Sequence, residues 1–137
     1  MGRLVKTGTA GKDRLLLEKG IVVAIRELAR QPGMNETTRD LLAYIALSLI
    51  SIGDTIDASV AAWEKRDYWV KADHYRMEWA WAARLGTEMK KAIIEESWPD
   101  VARCLGQVTE KLSTVKIAQR NRLGTPWVGA YQKLIIT

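Results

Sequence analysis

The chain has no phenylalanine, one cysteine, one histidine and three prolines among its 137 residues. Each shortage excludes something. A single cysteine, Cys104, cannot close an internal disulfide or supply a zinc site of the usual kind. A single histidine, His74, lacks the second and third groups that a catalytic triad or relay requires. Glu-x-x-His pairs, the usual metal ligands of a helical bundle, are absent. No apolar run reaches the ~20 residues of a membrane span; the longest, LLAYIALSLISIG at 41–53, is shorter. The first residues, MGRLVKTGTAGKDR, contain neither the apolar block of a signal peptide nor a myristoylation pattern, because Lys6 stands where Ser or Thr is needed. The expectation is a reduced, cytoplasmic protein with no membrane contact, metal or cofactor.

What is present is helical patterning nearly throughout, in a length that suits one domain, 1–137. After a flexible leader over 1–11, a first helix is expected from about Lys12 to Gln31. Its apolar face is Leu17, Ile21, Ala24 and Leu28, and QPG at 31–33 ends it. A second helix begins near Thr37, where Thr37-x-x-Asp40 fits a capping box, and carries Leu42, Ile45, Leu49, Ile52, Ile56, Ser59 and Trp63 on one seam. EKRD at 64–67 reads as the turn, with Asp67 as candidate cap of a third helix. That helix has the seam Tyr68, Ala72, Tyr75, Trp79, Ala82, Gly86, Met89 and Ile93. Ser97-x-x-Asp100 opens a fourth helix bearing Val101, Leu105, Val108, Leu112 and Val115, and residues 123–137 form a Gly/Pro-broken tail. These features predict an all-α, antiparallel four-helix bundle with an irregular C-terminal tail.

No stretch spells out a reaction. GTAGKD at 8–13 has shortened phosphate-loop spacing, Asp13 replaces the required hydroxyl, and no strand precedes it. Asp54 and Asp57 would lie level with Glu78 and His74 in a hairpin, but both fall off the helical seam, on the solvent side. Cys104 sits beside the core seam as a small hydrophobe. The expectation is a chain without catalytic activity.

The candidate functional surfaces are of two kinds. On the third helix, Val70, His74, Met77 and Trp81 form a second apolar stripe about 160° from the first, and Leu47 and Ile50 lie off the seam of the second helix. A helix apolar on two faces needs two layers of cover. Three covers are open: the chain's own first helix or tail, a protein interface (homo-oligomer or partner), or a small apolar ligand between helices. Base stacking is disfavoured here, because Asp73 and Glu78 balance Lys71 and Arg76.

The second kind is electrostatic. The net charge is +5, unevenly spread: residues 1–34 hold seven Lys/Arg against three Asp/Glu, residues 35–99 eight against eleven, and residues 100–137 six against two. Lys116, Arg120 and Arg122 near one end, and Lys12 and Arg14 with Arg3 and Lys6 near the other, are candidate contacts to DNA or RNA backbone without sequence specificity. The leading expectation is an interaction protein that self-associates or sits in a larger assembly. A basic nucleic-acid-binding subunit is the alternative, and an apolar-ligand bundle stands third.

Overall fold

The computed structural model describes residue 5 and residues 7–137, and over these the chain is all-helical, with five helices and no strand. The helices are α1 (Ala10–Leu28), α2 (Glu36–Glu64), α3 (Trp69–Ile94), α4 (Trp98–Lys111) and α5 (Ala130–Ile136). Arg3 and Lys6 lie outside the described residues.

α1 starts two residues earlier than the pattern implies. Thr9 caps it by accepting the Lys12 N–H at 3.2 Å. The would-be phosphate loop is closed on itself instead: the buried Asp13 carboxylate accepts both the N–H and the hydroxyl of Thr7. α2 begins at Glu36 because Asn35, not Thr37, is its cap; the Asn35 side chain accepts the Thr38 N–H at 2.8 Å. Asp67 is likewise not the cap of α3. It takes a left-handed conformation (φ 61°) and ends α2, with the Tyr68 N–H reaching back to the Trp63 carbonyl at 2.9 Å. That is the helix-terminating pattern in which a left-handed residue satisfies the last free carbonyls. Glu96 ends α3 in the same way. At the start of α4, Ser97 makes no backbone cap; its hydroxyl bonds the Asp100 carboxylate at 2.7 Å, while Pro99 occupies the first turn.

α2 is the central element, packed by α1, α3 and α5, while α4 packs on α3. Every residue from Leu41 to Leu49 is buried. α2 is the one described helix long and apolar enough to cross a membrane, yet 72% of that apolar window is buried against the rest of the chain. α2 and α3 run antiparallel and close together. Gly53 lies against Ala83 and Gly86 against Leu49 and Ile50, where an added Cβ would come within 2.9 Å of the Ile50 backbone nitrogen.

The tail is more regular than its Gly/Pro content suggests. α5 lies on α2 and buries Trp127, Ala130 and Leu134. The buried Asp40 carboxylate holds it there, accepting the Gly129 N–H at 3.1 Å and the Tyr131 N–H at 3.0 Å. The segment before it is tied to α1: the Arg26 guanidinium donates to the Ile117 carbonyl at 2.9 Å and to the Ala118 carbonyl at 3.2 Å.

Candidate interaction surface

The far end of the α2–α3 hairpin concentrates the aromatic residues. Facing inward, Trp63 and Tyr75 meet edge to face at 4.8 Å, and Trp79 stacks on Trp81 at 5.6 Å. Each of these rings carries a cation from its own chain. Arg14 lies over Tyr75 at 5.7 Å and over Trp79 at 5.0 Å, Lys71 over Trp63 at 4.5 Å, and Lys111 over Trp81 at 5.9 Å. Burial pushes the Tyr75 hydroxyl pKa up, and the Arg14 guanidinium opposes that.

This sorts the expected interface residues into two groups. Leu47 is 1% exposed and belongs to the core. It lies off the main seam, and it needs no outside partner because α1, α3 and α5 surround α2. Trp81 is also buried, at 9% exposed, and lies under the Lys111 ammonium of α4. Ile50 is half-buried against Gly86. Val70 and Met77 are open, 74% and 77% exposed, and His74 between them is exposed too. Tyr68, expected in the core, is 51% exposed, and the neighbouring Trp69, which sequence reading did not single out, is 56% exposed. α4 has only 14 residues, at ~1.5 Å rise each, which carries it as far back as Trp81. The first three turns of α3 run beyond it.

Charges on this end are partly settled. Arg76 bridges Asp73 of its own helix and Glu64 of α2, the latter at 3.0 Å. Lys71 and Glu78 make no ion pair among the described residues. Asp54 and Asp57 are exposed, as their position off the seam implies, and line a shallow groove with Arg76 and Trp79. No three His, Cys, Asp or Glu side chains among the described residues group as metal ligands.

The basic candidates do not form one surface. Lys12 is exposed at the start of α1, but Arg14 is engaged: it lies over two rings and 3.6 Å from Glu18. Arg120 sits near the other end of α1, about 28 Å away for a 19-residue helix. There it lines a hollow of about 490 Å³ with Arg26, Arg30, Glu27 and Asn121. Lys116 and Arg122 are exposed in the same segment. Arg26 and Arg30 were missed in sequence reading, because each looks like an ordinary cation near a helix C-terminus. Arg26 in fact uses its guanidinium to fix residues 117 and 118, which places Arg120 in that hollow.

No protein-family model, curated protein or solved structure matches this chain.

Proposed function

We propose that the protein is a non-catalytic interaction module of the cytoplasm. In this reading α1–α4 form an antiparallel four-helix bundle, α5 is a clamp on α2, and the outer end of the α2–α3 hairpin docks protein, in self-association or as a small subunit of a larger assembly. One observation carries it: Val70 and Met77 stand exposed on one stripe at the start of α3, and Tyr68 and Trp69 beside Val70 are exposed as well. Large apolar side chains of this kind, when contiguous, mark interaction sites, and Trp, Tyr and Met are the types enriched there.

The test is site-specific photo-crosslinking in cells, with benzoylphenylalanine at position 77 and, as control, at exposed Thr109 on α4. A discrete adduct from position 77 and none from position 109 is expected. Equal labelling from both, or none from either, overturns the reading.

A second reading has its own support. Arg26, Arg30 and Arg120 line one hollow whose single carboxylate, Glu27, pairs with Arg30 at 3.3 Å, and such an arginine-rich surface suits phosphate backbone of DNA or RNA. Anisotropy with labelled single- and double-stranded oligonucleotides would then show binding that falls steeply with salt and is lost in R30E/R120E. No binding at low salt removes this reading. An apolar ligand among the rings finds no such support, because Arg14, Lys71 and Lys111 already cover them.

A further inference from the structure

The exposed stripe of α3 follows a heptad, and its flanking charges discriminate among partners. Val70, His74 and Met77 occupy alternate core positions four and three residues apart, and the buried Trp81 is the next position in register, four residues on. One flank carries Lys71 and Glu78, seven residues apart with opposite sign; the other carries Asp73 and Ala80. Two facts set Lys71 and Glu78 apart from the other charges here. Asp73 is occupied by Arg76 of the same helix, whereas Lys71, whose ammonium lies over the Trp63 ring, and Glu78 have no ion-pair partner among the described residues. Nor can they neutralise one another, since two turns of helix separate them by about 10 Å.

We infer that the occupant of this surface is a second copy of the chain, docked with its α3 antiparallel along the Val70–Met77 stripe. The inference rests on the interaction reading above and names its partner. In an antiparallel helix pair, positions on the same flank face each other. A two-fold axis near Tyr75 therefore sets Lys71 against Glu78 of the second copy, and Glu78 against its Lys71. The surface is self-complementary, as an isologous contact must be. Parallel pairing is disfavoured by the same residues, because it sets Asp73 against Glu78 of the second copy, twice, with like sign. Met77 then lies level with His74 of the second copy, and the two Val70 side chains close the ends.

The open seam is short, because α4 covers Trp81 and ends it. Two such short stripes bury less than the ~1,200–2,000 Å² of a stable, specific interface. The dimer is accordingly concentration-dependent and weakens with salt.

Sedimentation velocity on the full chain, with K71E, E78K and K71E/E78K, tests this. Mass should rise from 15.4 kDa toward twice that value with concentration, over about 10–500 µM for an interface of this size. Each single reversal turns two attractions into two repulsions and should weaken dimerisation about tenfold. The double reversal should restore it to within about twofold, because opposite signs again face each other. Both residues are exposed, so unchanged thermal melts separate loss of contact from loss of fold. A monomer at the highest concentration, or a dimer indifferent to the single reversals, overturns the inference, as does failure of the double variant to recover. A monomer that still gives a discrete heterologous adduct from position 77 overturns the homodimer and leaves the interaction reading standing. A chain that neither dimerises nor crosslinks loses both.

Discussion

Asp40 and Tyr131 are 91 residues apart, and a 3.0 Å hydrogen bond from the Tyr131 N–H to the buried Asp40 carboxylate joins them. With the matching bond from Gly129, one side chain of α2 satisfies two free N–H groups at the start of α5. Asp40→Ala should cost about 2 kcal/mol, a lost cap plus unpaired amides. The local signature is sharper than the global one. Amide exchange at Gly129 and Tyr131 should speed up while the amides of Leu41–Leu49 stay protected. Unchanged exchange at both would show that apolar burial of Trp127 and Leu134 alone holds α5 in place.

Two glycines inside helices should respond oppositely to the same substitution. At Gly86 an added methyl meets the backbone of Ile50 at 2.9 Å, so Gly86→Ala must push α2 and α3 apart and should cost about 1–3 kcal/mol. Gly106 has nothing within 4 Å of an added Cβ and is exposed on α4. There alanine should stabilise by about 0.5–1 kcal/mol through helix propensity and a less free unfolded chain. Urea midpoints of the two variants check both signs.

The sequence showed clearly where the helices are and much less clearly what covers them. Leucine and isoleucine at three- and four-residue spacing are dictated by the helical period, so α1 to α4 could be read from the chain. The full cover of α2 was not legible, because the seven residues of α5 that pack on it follow a Gly/Pro-rich stretch and depend on Asp40 for their position. Trp81 and Met77 share one stripe on the helical wheel, yet one is buried and the other open. The difference lies in the length of α4, which the wheel does not contain. Arg26 was not legible as an anchor of the chain, because its carbonyl partners, Ile117 and Ala118, are over ninety positions away.

Glu18 makes stability depend on acid. Burial pushes its carboxyl pKa above the ordinary 4.5, and the Arg14 guanidinium only partly offsets this. With the folded value raised, the protonated carboxyl favours the fold. Its contribution is full below pH 4.5 and is lost as pH rises through the higher folded value. Glu18→Gln should remove this term. The variant should then hold its stability, relative to the wild type, as pH climbs from 4.5 toward neutrality. Parallel urea midpoints for the two proteins across that window would show the burial cost to be absent.

Trp81 and Met77, one helical turn apart on the same stripe, should separate stability from association. Trp81 is buried beneath Lys111 and against Trp79. Trp81→Ala should therefore cost about 3 kcal/mol or more, as for other large aromatic residues removed from a core. Met77 is 77% exposed, and Met77→Asp should shift stability by no more than about 0.5 kcal/mol, the usual range for an open surface position. The same Asp replaces an apolar anchor of the Val70–Met77 stripe with a charge, so partner contact there should be lost while the melt is retained. Thermal melts and sedimentation of both variants read the two effects side by side. A strongly destabilised Met77→Asp would place Met77 in the core of the fold rather than on its docking surface.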